Sequence, residues 1–174
     1  MNPVIVLGFS LCLLVIIGQQ AQATQGPLDD HSNLRPVGSG VLKWWGVTLY
    51  EATLLAPDGE YRPDSPHALQ IAYRYGFSRE QLARATLKEI ERLQGEHEDR
   101  AVLFDRFRKL FTDVTPGDRI TGIHLPGQGA DFYGPQGYLG RLPDPALAAA
   151  FFEIWLDPRT REPELRRQLL GGLE

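Results

Sequence analysis

Among the side chains able to do chemistry, those on stretches of strand-like alternation are Thr48, Tyr50, Tyr73, Arg74, Arg119 and His124. They offer hydroxyl, phenol, guanidinium and imidazole groups. His124, in Ile123-His124-Leu125-Pro126-Gly127, is the most versatile, because an imidazole can act as acid, base or hydrogen-bond partner near neutral pH. A lone strand histidine is more often structural. The tyrosines combine an apolar ring with a polar tip, so a core position with the hydroxyl bonded to backbone is their commoner use. Asp118-Arg119 reads as a turn cap with an ion pair rather than as reacting groups.

Motifs that would fix a reaction are missing from the sequence. The four histidines and the carboxylates show no His-x-x-x-His or Glu-x-x-His spacing, so neither a metal site nor a cofactor is expected. None of Ser10, Ser32, Ser39, Ser65 and Ser78 stands in a Gly-x-Ser-x-Gly frame. Gly38-Ser39-Gly40 precedes a strand, whereas a dinucleotide fingerprint follows one and opens a helix. The glycine pair reads instead as a place where the backbone turns.

The elements that must position these groups follow from periodicity. Val41 to Trp45 and Val47 to Leu55 are rich in β-branched and aromatic residues, with Gly46 between them as turn or bulge. His67 to Tyr75 alternates Leu69, Ile71, Tyr73 and Tyr75 against polar or small neighbours, as a half-buried strand does. Ser78 with Gln81 has capping-box spacing and opens a helix. Leu82, Ala85, Ile90 and Leu93 form its apolar face, while Arg79, Arg84, Glu89 and Arg92 take the other side. A second helix from about Glu98 to Phe111 carries the apolar residues Val102, Leu103, Phe107, Leu110 and Phe111, and Thr115-Pro116-Gly117-Asp118 stops the chain.

Arg119 to Leu125, Ala130 to Tyr133 and Tyr138 to Leu142 return to a period of two as a meander with hairpin turns. Asp144-Pro145 then starts a helix as N-cap and first helical residue. Its residues Leu147, Ala148, Phe151, Phe152, Ile154 and Trp155 make a thick apolar face, and Glu162-Pro163 begins a last short helix. Strands at both ends with a helical pair between them imply an α+β domain, an antiparallel sheet covered on one face by helices.

The ends of the chain carry a second message. Val4 to Ile17 is an almost purely apolar run followed by Ala21-Gln22-Ala23, so residues 1–23 read as a secretory signal with cleavage before Thr24. The run is too short for a permanent membrane span, which takes roughly 20 apolar residues, and a periplasmic location is expected. Cys12, the single cysteine, lies within that run, so the mature chain would hold no thiol. Residues 24–36 read as a mobile lead-in and 37–174 as one domain. A net charge of −4 with the signs interspersed speaks against a nucleic-acid partner, which requires a basic stripe. No protein partner is specified.

Gly38-Ser39-Gly40-Val41 followed by Trp45-Gly46-Val47-Thr48-Leu49-Tyr50-Glu51-Ala52 resembles the opening strands of the chalcone-isomerase-like family. Phe111-Thr112-Asp113-Val114 with Gly117-Asp118-Arg119 is similar to the start of that family's second half. Leu139-Gly140, Phe151-Phe152-Glu153-Ile154-Trp155-Leu156-Asp157-Pro158 and Leu169-Leu170-Gly171 resemble its closing helix and tail. The resemblance runs over most of the chain in the right order and matches the exported, bacterial branch.

It implies an open-faced β-sandwich, a large antiparallel sheet packed by helices, with a cleft for flat or elongated apolar ligands. Plant members cyclise chalcones, related members bind fatty acids, and others have no demonstrated chemistry. Catalytic members hold an arginine just after the Gly-x-Gly opening, where this chain has Leu42. Losing such an anion-stabilising donor costs on the order of 100- to 1,000-fold in rate. Lys43 would replace it only if a bulge shifted the register, because neighbours on a strand point to opposite faces. The family's helix tyrosine and asparagine are also missing from Ser78 to Phe111.

The expectation is therefore an exported, non-catalytic protein that binds a small apolar or amphipathic ligand, such as a fatty acid, through Thr48, Tyr50, Tyr73, Arg74 and His124. An isomerase or intramolecular lyase using His124 or Tyr50 on an unknown substrate is one alternative. A partner-binding module whose cleft is filled by its own side chains is the other.

Overall fold

The computed structural model describes residues 33–172. The expected signal, Cys12 and residues 24–32 of the expected lead-in lie outside them.

Within that range the strands β1 (Leu34–Trp44), β2 (Val47–Pro57) and β3 (His67–Tyr73) are followed by the helices α1 (Arg79–Gln94) and α2 (Arg100–Leu110). Then come β4 (Arg119–Leu125), β5 (Gly129–Gly134), β6 (Gly137–Leu142), α3 (Pro145–Leu156) and α4 (Pro163–Leu169). The six strands form one antiparallel meander in sequence order. The α1–α2 pair is inserted between the neighbours β3 and β4. The predicted α+β architecture, an open sheet with helices on one face, is the one observed.

Alternation dictates which face is covered. One cross-sheet row runs Gly38, Leu54, Leu69, Gly122, Phe132, Gly140 through successive strand pairs. Its large side chains enter the main core, with Phe107 of α2 and Phe151 and Phe152 of α3 above them. Its glycines leave room for helices: a Cβ on Gly122 would press on Phe152, one on Gly140 would press on Leu110, and one on Gly38 would enter the backbone of α4. Alternating large and small residues in this way lets the two layers interdigitate at close-packed density. Phe107, Phe111, Phe132 and Phe151 complete the core as an aromatic group with ring centroids 5.0 to 6.4 Å apart. On the opposite face only a small cluster forms, around Leu34, Leu55, Ala68 and Ile123.

Local chemistry sets the helix ends as expected. Ser78 and Gln81 make both halves of a capping box, and the Asp144 carboxylate accepts from the backbone N–H groups of Ala146 and Leu147. Asp118 accepts from the Thr115 backbone and hydroxyl, which caps its turn.

Four expectations need correction. β1 spans Leu34–Trp44, starting well ahead of the strand predicted from Val41, and Leu34 is buried in the second cluster. Gly38 and Gly40 do not turn the chain; they sit within β1 where α4 approaches, and a Cβ on either would meet Gln168. On α1 Ile90 and Leu93 are buried as predicted, but Ala83, Thr86 and Leu87 complete the buried stripe in place of Leu82 and Ala85. Val102 of α2 is exposed, because the core-facing side of that helix is taken by Leu103, Phe104, Phe107 and Leu110.

The β1–β2 connection is a two-residue turn at Trp45 and Gly46, with φ of 50° and 80°. Positive φ at both positions marks the type I′ class, whose twist suits a hairpin. A tryptophan in that conformation is unusual, and its side chain is 91% exposed.

Candidate ligand-binding site

Toward the Trp44 end of the hairpin the helices stand away from the sheet and leave a cavity of about 660 Å³. Its floor is the β1–β3 end of the sheet, with Leu42, Tyr50, Ile71 and Tyr73. Its roof is α1, through Leu82, Ala85 and Thr86, together with Phe151, Ile154 and Trp155 of α3. Trp44, Trp45, Val47 and Tyr75 form one lip. Thr160, Arg161 and Glu162, from the α3–α4 connection, close the far side with Glu89.

A bulge shapes the floor. Leu42 pairs with Tyr50 but Lys43 pairs with Thr48, so Leu49 is an extra residue on β2. Leu49 and Tyr50 consequently both face the cavity, and Thr48 is turned out of the lining. The bulge lies on the strand opposite Lys43, so Leu42 remains in the wall and Lys43 is exposed outside it. The place of the family's arginine is thus an apolar part of the floor.

Two phenols lie in this floor. The indole Nε1 of Trp155 donates to the Tyr50 Oη at 2.9 Å. The Tyr50 and Tyr73 rings meet edge to face with centroids 6.2 Å apart. Burial pushes both phenol pKa values above their ordinary range, so both stay protonated. The carboxylates of Glu162 and Glu89 add to the rise at Tyr50.

The far rim is an ion network. Glu89 accepts from Arg92 at 2.7 Å and faces Arg161 at 3.2 Å. Arg92 also donates to the Arg159 carbonyl, and the Thr160 hydroxyl donates to the Ile154 carbonyl. These bonds fix the α3–α4 connection against α1.

Of the residues predicted for the site, the structure brings Tyr50 and Tyr73 together in the cavity and places the others elsewhere. Arg74 alternates with Tyr73 onto the opposite face, where it pairs with Glu51 at 3.3 Å. Arg119 is exposed and outside the lining. His124 shares the helix-facing side of the sheet with the tyrosines but sits at its other end. Tyr73 lies six positions along β3 from His67, the cross-strand partner of His124, which is roughly 20 Å at the strand rise.

There the two imidazoles form a buried pair, with centroids 4.8 Å apart and both rings against Phe152. The Ser65 carbonyl can only accept, so His67 Nδ1 is the protonated nitrogen of that ring, at 2.9 Å. His67 Nε2 and His124 Nδ1 have no partner among the described residues. Burial lowers both pKa values, that of His67 to about 4.

The sequence reading missed Glu89, Leu49 and the Trp155–Tyr50 bond. A doubled apolar stripe on α1, Ala83-Leu87-Ile90 beside Leu82-Ala85-Thr86, was the available signal that two faces of that helix are used.

An open antiparallel sheet with helices on one face and an apolar cavity between the layers defines an open-faced α+β sandwich. The chain belongs to the chalcone isomerase-like family, whose model matches residues 19–171. A protein of Haemophilus influenzae described only as uncharacterized is 28% identical over 138 residues, covering 79% of this chain and 68% of its own. The crystal structure of an Arabidopsis thaliana fatty-acid binding protein superposes with a TM-score of 0.63, covering 86% of this chain and 90% of that one. At 13% identity that likeness establishes the fold alone.

Proposed function

We propose that this chain is an exported binding protein that accommodates a small apolar or amphipathic molecule in the cavity between α1, α3 and the β1–β3 end of the sheet. The observation that carries the reading is the cavity itself. Its walls are mainly aromatic and aliphatic, it opens beside Trp44 and Trp45, and at about 660 Å³ it falls within the range typical of small-molecule sites. The name of the Arabidopsis protein supports the same type of ligand. Leu42 in place of the anion-stabilising arginine supports binding without chalcone cyclisation, and the distance of His124 from the cavity deprives an isomerase reading of its most versatile residue. Because the cavity is not filled by its own side chains, the ligand-free module has less support. Export is proposed on the apolar run and Ala21-Gln22-Ala23.

Native mass spectrometry of the protein recovered from its own cell envelope tests the reading directly, and a bound small molecule is the expected result. Ala85 is exposed on the cavity side of α1, so Ala85→Trp fills the space with little effect on the core. It should abolish the bound species and the ligand-induced rise in melting temperature. An empty wild-type protein whose melting temperature no lipid or aromatic compound shifts would overturn the proposal.

A further inference from the structure

We propose that the cavity prefers an uncharged lipophile bearing a hydrogen-bond acceptor, such as a ketone or ester oxygen, and discriminates against an ionised carboxylate. The inference rests on the reading of the cavity as a ligand site and specifies the head group it takes.

The donors come first. Tyr50 Oη already accepts the Trp155 indole N–H, which occupies one lone pair and leaves its own proton to donate. Tyr73 makes no hydrogen bond through its hydroxyl among the described residues, and its ring lies edge-on to that of Tyr50. The floor therefore presents two protonated phenols with donor capacity in an apolar surround, where an unmet donor is costly and a ligand acceptor satisfies it.

The charges then decide which acceptor. The lining contains one cation, Arg161, and two carboxylates, Glu89 and Glu162. Arg161 is 3.2 Å from Glu89 and so is committed to it. Glu162 and Glu89 add to the rise of the Tyr50 pKa, behind burial and against the Trp155 N–H, so the charged groups of the lining offer its hydroxyl no uncommitted cation. Leu42, paired with Tyr50 across β1 and β2, contributes no counter-charge. A carboxylate brought to this phenol pair would lose its hydration without gaining a counter-ion. A carbonyl oxygen would accept from the same donors without that penalty.

The test is competition for a neutral apolar fluorophore, 1-N-phenylnaphthylamine, at neutral pH and below the critical micelle concentrations, using dodecanoate, methyl dodecanoate and 2-tridecanone. The ester and ketone are expected to displace the probe at least about tenfold more tightly than the acid, because burying an unpaired carboxylate carries a desolvation cost of at least that size which the neutral acceptors escape. Tyr73→Phe and Tyr50→Phe should each weaken the ketone by up to about tenfold relative to the probe bound by the same variant. Leu42→Arg should bring the acid level with the ester or ahead of it. Wild-type affinity for dodecanoate equal to or above that for the neutral ligands would overturn the head-group inference and leave the binding reading standing. Failure of the probe and of all three ligands to bind, with Ala85→Trp indistinguishable from wild type, would overturn both.

Discussion

The Trp155 indole nitrogen donates to the Tyr50 hydroxyl at 2.9 Å, tying α3 to β2 across 105 positions of sequence. The bond spans the two layers at the cavity and sets the orientation of both rings. Tyr50→Phe removes the acceptor and leaves a half-buried N–H unmet, at a cost of about 1 kcal/mol. A double-mutant cycle with Trp155→Phe, read by urea denaturation, should return a coupling energy of similar size. Simple additivity would show that the bond adds nothing to stability.

The buried histidine pair predicts acid sensitivity. Burial depresses the His67 pKa from 6.5 to about 4, so between those values the unfolded chain binds more protons than the folded one. The stabilisation from keeping the ring neutral is complete above pH 6.5 and is lost as pH falls toward 4, on the order of 3 kcal/mol for His67 by linkage. His124 acts in the same direction. Thermal melts between pH 7 and 4 should show this fall, and His67→Phe should flatten it whatever its effect at neutral pH. An unchanged slope would remove His67 as the cause.

Gly38 is predicted to be intolerant for a packing reason. An added Cβ would run into the Gln168 carbonyl oxygen and come within 2.8 Å of that of Leu169, so α4 would have to move. Gly38→Ala should cost about 2–3 kcal/mol by overpacking. Ser39→Ala, at an exposed hydroxyl pair with Thr53, should cost far less. Calorimetric melting temperatures compare the two.

Trp45 holds φ of 50° at 91% exposure, so it bears left-handed backbone strain and buries almost nothing in return. A left-handed conformation costs an ordinary residue roughly 1–2 kcal/mol, and Asn-Gly is the favoured pair for this turn. Trp45→Asn should therefore stabilise the domain by about 1 kcal/mol, seen as a melting temperature higher by a few degrees. A lower melting temperature would mean that the indole makes contacts that stabilise the fold.

The sequence by itself determined the element order, the caps at Ser78 and Asp144, the alternation of β3 and the apolar character of α3. All of these follow from period-two and period-3.6 patterning and from end chemistry that acts within a few residues. It also identified Leu42 as a departure from the family and named Tyr50 and Tyr73 among the candidate ligand-binding groups. Tertiary structure decided the rest, because a shared face does not mean a shared site. His124 points to the same side as Tyr73 yet lies at the far end of the sheet, and the strand pattern carries no mark of where along its length a cavity opens. Thr48 was misplaced because one extra residue, Leu49, reverses the alternation, and a bulge depends on the partner strand's register. The glycines of β1 looked like turning points until the backbone of α4, more than 100 positions later, came to rest on them. Glu89 looked solvated, and it became part of the cavity rim only when the α3–α4 connection folded back with Arg161.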